Sequence, residues 1–460
     1  MTLTIDDRPT TTRRPAAATS GATGQPSNAA DAAPGRPRIT GMACRNCGLA
    51  QPLAVAYVCP ACFGPLEVTY DLAVAGSTFT RAAIEARAPG IWRYLELLPV
   101  DAAPARSLAV GSTPLVAADR LAPVLGIDRL WIKDDTRNPS LSFKDRAVAV
   151  AVAQAVAFGV PALACASTGN LAGATAAAAA AVGLPAYVFI PADLEPAKVD
   201  HALAYGATVV PVAGTYDDVN RLCLEVADET GWGFVNINLR PFYAEGSKTL
   251  AYEIAEQLGW RSPDVLVAPV ASGAMFTRVA RGFEELAELG LIERRPIRFV
   301  GGQAAGCAPV ATAFERGTDV IEPIREPDTI VRSLAIGNPA DGRYAVELAR
   351  ESGGSIEAIP DTVTAQAIRD VARLEGIYPE TAGGVTLAAV AAARRRGVVH
   401  DGDEVVALVT GNGLKTPDAR LLGAGGVDGA APAAGPGQPG LAPVIRPSLS
   451  AFEAWLEGGS

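Results

Sequence analysis

The chain is poor in histidine: His201 and His400 are the two histidines among its 460 residues. A Ser-His-Asp or Cys-His arrangement, or a histidine-rich catalytic zinc site, would have to use one of these two side chains. We therefore expect acid–base work to fall to lysine, carboxylates, hydroxyl groups or a cofactor. The scarcity of histidine favours a cofactor-dependent enzyme.

An excess of positive charge is also lacking, since the formal net charge is -10 at pH 7. Proteins that hold nucleic acid or anionic membranes usually present a basic surface, so neither is expected as a partner. The longest uncharged apolar run, residues 171–191, is broken by Gly183-Leu184-Pro185 and predicts a buried helix followed by a strand. The first residues lack the basic region and apolar block of a signal peptide, so we expect a cytoplasmic protein.

Composition predicts a globular protein with long tails. Hydrophobic residues make up 49% of the chain, enough for a large core and more than one domain. Residues 1–38 are rich in Thr, Ala, Pro, Gly and Ser and predict a disordered extension. Residues 421–442 predict a linker to a tail, residues 443–460, with a short helix. Three apolar residues of the tail have helical spacing: Leu449, Phe452 and Trp455.

Two C-x2-C pairs lie near the N-terminus, Cys44 with Cys47 and Cys59 with Cys62. Each pair can place two thiolates on one tetrahedral ion, so residues 39–70 predict a zinc-ribbon-like element that holds Zn²⁺. Four protein ligands leave no open coordination position, so the role of the metal is structural. Disulfides, or a site that has lost its metal, are the alternatives.

Between residues 130 and 410, apolar runs bounded by Gly and Pro alternate with helical stretches. Such runs are typical of strands buried on both faces, so the sequence predicts a doubly wound, mostly parallel α/β fold. Ligands then bind at the carboxyl ends of the strands. The predicted strands are 163–166, 186–190, 208–212, 265–268, 298–301 and 405–409, and two of the predicted helices are 171–182 and 217–230.

Lys144 is the most informative residue, and it lies in the segment Ser142-Phe143-Lys144-Asp145-Arg146. Ser142 has the position and hydroxyl of a helix N-cap, and Asp145 falls in the first turn. The amine of Lys144 would lie among unsatisfied backbone N–H groups, where a cation is disfavoured. That placement suits a lysine that attacks a carbonyl. A solvated Lys-Asp-Arg helix start is the alternative interpretation.

Three strand ends carry small or polar residues. Ser167-Thr168-Gly169-Asn170 can cradle a carboxylate or phosphate, and residues 271–275 form a second small-residue turn into a helix. Thr410-Gly411-Asn412-Gly413 places a hydroxyl at the last strand. Each loop alone is also consistent with an ordinary turn. Together with Lys144, they indicate a site for pyridoxal phosphate.

These motifs, with Glu245-Gly246-Ser247-Lys248-Thr249, resemble in order those of the threonine synthases, which are pyridoxal-phosphate enzymes of fold type II. The resemblance covers about residues 39–420 and includes the four-cysteine segment found in one branch of that family. It implies a catalytic domain over residues 71–420 in two subdomains, and a homodimer. The reaction it implies converts O-phospho-L-homoserine and water to L-threonine and phosphate.

The resemblance also implies residue roles. Lys144 would form the internal aldimine with Phe143 beside it, Asn170 would bond the cofactor's 3-hydroxyl, and Thr410 would face the pyridine nitrogen. A neutral hydroxyl there makes the ring a weaker electron sink than an aspartate would. The cofactor phosphate would lie against Ala271, Ser272, Gly273, Ala274 and Met275.

The sequence departs from the family pattern at two points. The loop at 271–275 replaces the common Gly-Asn-x-Gly-Asn, and residues 238–243 read Asn-Leu-Arg-Pro-Phe-Tyr where many members have Asn-Pro-x-Arg. Expected contacts of the substrate phosphate are Ser167, Thr168, Arg240 and Lys248, with ordinary capping and ion pairing as the alternative for each. Rival functions are a cysteate synthase or a dehydratase on the same scaffold, and, more remotely, a non-catalytic homologue.

Overall fold

The computed structural model describes residues 38–167, 169–192, 200–213 and 216–415. Thr168, nearly all of the predicted extension, the predicted linker and the predicted C-terminal tail lie outside the described residues. The domain boundaries proposed from the sequence at residues 71 and 420 therefore stay predictions.

Strands and helices alternate along most of the described chain. The strands are β1 (Ile39–Cys44), β2 (Ala50–Gln51), β3 (Leu66–Tyr70), β4 (Leu115–Ala117), β5 (Arg129–Asp134), β6 (Leu163–Ala166), β7 (Ala186–Pro191), β8 (Thr208–Val212), β9 (Gly233–Phe234), β10 (Val265–Pro269), β11 (Arg298–Ala304), β12 (Ser355–Ile359) and β13 (Glu404–Val409). The helices are α1 (Leu72–Gly76), α2 (Arg81–Glu85), α3 (Ala122–Leu125), α4 (Lys144–Phe158), α5 (Asn170–Val182), α6 (Asp200–Ala204), α7 (Tyr216–Thr230), α8 (Arg240–Gly246), α9 (Thr249–Gln257), α10 (Ala274–Glu288), α11 (Pro309–Glu315), α12 (Gly342–Glu351), α13 (Asp361–Glu375) and α14 (Thr381–Arg396).

The larger sheet of the described chain has the strand order β12-β11-β10-β13-β5-β4, and its strands are parallel except for the edge pair β4 and β5. Successive residues of β10 point to opposite faces. Val265 and Val267 pack in the cluster that contains α14, whereas Leu266 and Ala268 pack in the cluster that contains α10. Helices therefore cover both faces, as the apolar strand pattern predicts.

The smaller parallel sheet has the order β8-β7-β6-β9. Leu163 and Cys165 pack with α4 and α5, and Ala164 and Ala166 pack on the opposite face with α7. Each parallel sheet is the core of one subdomain. The predicted doubly wound, mostly parallel α/β architecture in two subdomains is confirmed.

The N-terminal element is a small antiparallel sheet of order β2-β1-β3. Met42 and Val68 face its interior and pack in the same cluster as Val148 and Val152 of α4. The element also contacts α8, since the Tyr70 hydroxyl of β3 donates to Glu245 at 2.8 Å. As for membranes, none of the helices in the described ranges is long and apolar enough to cross one.

Candidate active site

Three neighbouring strands of the larger sheet bring the main site residues together. β10, β13 and β5 are adjacent and parallel, so their carboxyl ends lie at the same edge. The loop 271–275 follows β10, Thr410 follows β13, and the segment that leads to Lys144 follows β5. The predicted convergence of these residues thus follows from strand order.

The segment before Lys144 pairs with the loop that contains Thr410. The N–H of Phe143 donates to the carbonyl of Thr410 at 2.9 Å, and Ser142 forms an antiparallel bridge with Gly411. Helix α4 begins at Lys144, with Phe143 in the N-cap position. The prediction that Ser142 caps the helix is wrong, because the Thr410 loop holds this residue in strand-like pairing.

The amine of Lys144 lies 2.6 Å from the hydroxyl of Tyr243 and 4.8 Å from the centre of the Phe143 ring. Lys144 is half-buried. Its polar partner is therefore a phenol on α8, a residue the family motifs do not mention. Phe143 lies beside the lysine, where the resemblance expects it.

A charged cluster anchors the first turn of α4 in the core. The guanidinium of Arg146 bonds the carboxylates of Asp135 and Glu253, each at 2.7 Å, and Lys133 bonds Glu253 at 2.7 Å. Burial alone would raise the pKa of Glu253, but Arg146 and Lys133 outweigh it and lower that pKa. Two cations thus balance two carboxylates directly behind Lys144, which holds the helix start in place.

Asn170 and Glu380 form a second polar pair at the site. The amide Nδ2 of Asn170 donates to Oε2 of Glu380 at 2.7 Å, and the N–H of Glu380 donates to the carbonyl of Gly411 at 2.8 Å. A Cβ on Gly411 would lie 2.3 Å from Oε2 of Glu380, so a larger residue there would displace that carboxylate. Burial raises the pKa of Glu380, while Lys415 and Asn170 act in the opposite direction.

The loop 271–275 turns into the long helix α10. Gly273 is the N-cap residue and has φ of 92°, a conformation that glycine adopts readily. A Cβ on Gly273 would lie 2.6 Å from the carbonyl of Asp341, and the N–H of Asp341 donates to the carbonyl of Ser272 at 2.8 Å. The backbone N–H groups of the first turn of a helix this long favour an anion.

The residues expected to contact the substrate phosphate have different surroundings. Arg240 forms an ion pair with Asp341, which is itself bonded to the loop at Ser272, so Arg240 lies beside that loop. Ser167 is half-buried and accepts a hydrogen bond from the N–H of Gly169 at 3.3 Å. Thr168, another of these expected contacts, lies outside the described residues.

Lys248 is held in the interior. Its side chain has no exposed surface, and its amine forms ion pairs with Glu245 at 2.6 Å and with Glu285 at 3.1 Å. A cation that two buried carboxylates neutralise is not available to a phosphate in the cleft. We therefore do not keep Lys248 among the proposed substrate contacts.

The four N-terminal cysteines converge on one point. Their sulfur atoms all lie within 4.8 Å of one another, with 3.4 Å between Cys44 and Cys62 and 3.7 Å between Cys47 and Cys59. A tetrahedral zinc ion with Zn–S bonds of about 2.3 Å requires sulfur atoms about 3.8 Å apart. The separations fit one metal ion and are far too long for disulfide bonds.

The cysteine element also touches the catalytic body near the site. The guanidinium of Arg45 lies 3.6 Å from the ring centre of Tyr344, and the Tyr344 hydroxyl is hydrogen-bonded to Asn46. Tyr344 is in the first turn of α12, three residues after Asp341. Asp341 is the residue whose N–H donates to the carbonyl of Ser272. The first cysteine knuckle is thus braced against the helix that supports the phosphate-type loop.

Two residues at this site carry no signal of their own in the sequence. Tyr243 contacts Lys144, which is 99 residues away in the sequence, and Glu380 contacts Asn170, which is 210 residues away. The signal that could have led to Tyr243 is the departure from the family pattern at residues 238–243.

Comparison with known proteins identifies the class. Residues 106–411 match the family model described as pyridoxal-phosphate dependent enzyme. The processed form of threonine deaminase isoform 2 from Solanum lycopersicum superposes with a TM-score of 0.57 at 23% identity, covering 67% of this chain and 82% of that one. Maize serine racemase gives a TM-score of 0.55 at 20% identity, covering 65% and 88%. The chain is a pyridoxal-phosphate-dependent lyase with the type II fold.

Sequence relatives narrow the class to one family. A threonine synthase of Methanosarcina acetivorans is 36% identical over 364 residues, which are 79% of this chain and 89% of that protein. One from Methanocaldococcus jannaschii is 35% identical over 381 residues, 82% and 93% respectively. One from Mycobacterium bovis is 39% identical over 341 residues, 72% and 90%. The chain belongs to the threonine synthase family.

Proposed function

We propose that this enzyme converts O-phospho-L-homoserine and water to L-threonine and phosphate. The observation that carries the proposal is Lys144, a half-buried lysine at the carboxyl edge of a parallel sheet, whose amine bonds a phenol and lies among the loops of a threonine synthase family member. A lysine amine is the side-chain group that condenses with an aldehyde. Both the family and the geometry support this use of Lys144.

The site residues fit pyridoxal phosphate. Gly273 turns the phosphate-type loop into α10, whose first-turn N–H groups favour an anion. Lys144 would hold the cofactor, with Phe143 beside it, and Asn170 and Thr410 would contact its ring. Its phosphate would lie on the first turn of α10, which leaves N–H donors and the Ser272 hydroxyl facing it. When bound, the cofactor supplies an electron sink for chemistry at the substrate carbons.

The protein's own groups would bind the substrate and move its protons. Arg240, Ser167 and Thr168 would hold the departing phosphate, because a guanidinium and hydroxyl groups stabilise that anion as it leaves. Lys144 would carry protons between substrate carbons. None of the residues proposed here is a histidine, so the lysine is their acid–base group.

We also propose a structural Zn²⁺ on Cys44, Cys47, Cys59 and Cys62, supported by the four converging sulfur atoms. A homodimer, which the family resemblance implies, and a cytoplasmic location are also part of this proposal. The substrate is a small phosphorylated amino acid, and neither nucleic acid nor a membrane is proposed as a partner.

The test is to incubate the purified enzyme with O-phosphohomoserine, measure phosphate release and identify the amino acid formed. A parallel reaction contains O-phosphoserine and sulfite, the substrates of the rival cysteate synthase. We expect threonine in the first reaction and no cysteate in the second. Phosphate release without threonine would overturn the proposal. Lys144→Ala should lose both turnover and the visible absorbance of the lysine-bound cofactor.

A further inference from the structure

We propose that Tyr243 is a positioning residue for Lys144: its hydroxyl holds the free amine in place while that amine moves protons at the substrate carbon. This inference rests on the proposed function. The family motifs give Tyr243 no role. The contact that suggests one is the hydrogen bond of 2.6 Å between the Tyr243 hydroxyl and Nζ of Lys144.

A lysine that is released from its cofactor regains the freedom of a long side chain. Its four-carbon stem has many rotamers, and restricting them costs conformational entropy. A partner already at hydrogen-bond distance reduces the number of positions that Nζ occupies. The Tyr243 hydroxyl can do this in both protonation states, since a phenol donates to a neutral amine and accepts from an ammonium.

Backbone packing fixes this pair of residues. Helix α8 approaches α4 so closely at Gly246 that a Cβ there would lie 2.2 Å from the carbonyl of Arg146 and 2.7 Å from Cα of Ala147. Tyr243 is three residues before Gly246, and Lys144 is three residues before Ala147. The contact at Gly246 fixes α8 against α4 within one turn of both residues, and the Tyr243 hydroxyl reaches Nζ of Lys144 from there.

The N-terminal half of α8 is also held. Phe242 is buried and packs edge-on against Phe158 of α4, with 5.6 Å between ring centres. Arg240, at the start of the helix, forms its ion pair with Asp341. Because the helix is fixed at Arg240, Phe242 and Gly246, the Tyr243 hydroxyl has a defined position to offer the lysine.

The proton balance requires no further reactant. The neutral amine first accepts a hydrogen bond from the phenol. When Nζ takes a proton from the substrate carbon, it becomes an ammonium and donates to the tyrosine oxygen instead. Tyr243 keeps its own proton throughout, so the hydroxyl reverses from donor to acceptor and the proton travels on Nζ alone.

The experiment compares the holoenzyme with Tyr243→Phe, which removes the hydroxyl and keeps the ring. Each protein is placed in D₂O with L-threonine or L-serine, and loss of the Cα proton is followed by NMR. Tyr187→Phe is the matched control, because Tyr187 is half-buried too and stacks on Trp232 far along the chain from the lysine. We expect exchange at least tenfold slower in Tyr243→Phe alone, with unchanged cofactor content and thermal midpoint.

Exchange within twofold of the unmodified enzyme would overturn the inference. So would a higher KM for O-phosphohomoserine with normal exchange, because the hydroxyl would then serve the substrate phosphate. The lower kcat expected for the variant should come with an unchanged KM. The unmodified enzyme could exchange the Cα proton and yet make no threonine from O-phosphohomoserine. That result would overturn the proposed function, and the exchange rates would still test the role of Tyr243.

Discussion

The side-chain amide of Asn170 and the carboxylate of Glu380 are joined by a hydrogen bond of 2.7 Å that crosses from one subdomain to the other. Asn170 opens the helix that follows β6 of the smaller sheet, and Glu380 precedes α14, which packs on the larger sheet. The bond therefore ties the two halves of the active site together beside Gly411. It also places a buried carboxylate where the resemblance expects only an asparagine.

Glu380→Gln should stabilise the protein at neutral and alkaline pH. Because the pKa of Glu380 is raised in the folded state, ionising this side chain destabilises the fold. This loss of stability is absent below the pKa that Glu380 has in the unfolded chain, and it is complete above its pKa in the folded protein. The variant keeps an acceptor for Asn170 and escapes this cost. In urea denaturation from pH 4 to pH 9, the free energy of unfolding of the variant should rise relative to that of the unmodified protein as pH rises. A difference that stays constant with pH, or matches that of exposed Glu293→Gln, contradicts this prediction.

Arg146→Met should be severely destabilising. The substitution leaves the carboxylates of Asp135 and Glu253 buried with one cation fewer, and breaking a buried ion pair costs about 3–5 kcal/mol. Arg221→Met is the control, because its side chain is 68% exposed and its ion pairs lie on the surface of α7. The control should lose less than about 1 kcal/mol. Guanidinium denaturation measures the free energy of unfolding of both variants. Equal losses of stability in the two would show that the buried cluster around Arg146 does not stabilise the fold.

Gly246→Ala should weaken both stability and the Lys144 site. Its new Cβ would meet backbone atoms of Arg146, which cannot yield as a side chain can, and overpacking of this kind costs about 1–3 kcal/mol. The control is Gly76→Ala, where the nearest atom is a terminal methyl of Leu289 at 2.8 Å. Thermal denaturation should show a clear loss for the first variant and a smaller one for the second.

Zinc removal should destabilise the N-terminal element. Metal analysis of the purified protein should find one zinc ion per chain, and Cys59→Ser should lose it, because a tetrahedral site needs all four thiolates. Cys223→Ser, a buried cysteine outside the cluster, should retain the metal. A strong chelator should lower the denaturation midpoint of the unmodified protein. A metal content near zero in freshly purified protein would mean that the cysteines have another role.

Arg240→Ala and Lys248→Met should fail in different ways. Loss of a charged hydrogen bond to phosphate should raise the KM for O-phosphohomoserine about tenfold or more in the first variant. Loss of Lys248 leaves Glu245 and Glu285 without their shared cation and should lower the denaturation midpoint. Arg261→Ala, with 45% of its side chain exposed, is a control for the loss of an arginine. Normal KM in Arg240→Ala would remove it from the substrate site.

The central strands of the fold were predictable because they are buried on both faces. The apolar run 163–166 coincides with an observed strand, and 265–268 and 405–409 are each one residue shorter than the buried strands they predict. A strand covered on both sides needs apolar residues at every position, so the sequence itself marks its ends. The convergence of Lys144 and Thr410 then follows from the rule for parallel sheets.

The rest of the site depends on contacts between distant segments. Ser142 has the sequence of a cap, but pairing with Gly411 decides its backbone. Lys248 lies in a familiar motif, but Glu285 from α10 and the surrounding helices close it off from solvent. Local sequence reports the preferences of a segment and not which remote group arrives beside it, so Tyr243 and Glu380 were not foreseen.

The close approach of α8 to α4 links two parts of the site. Arg240, beside the phosphate-type loop, and Tyr243, at the lysine, are three residues apart on this one helix. Any displacement of α8 would therefore move the proposed phosphate contact and the contact with Lys144 together.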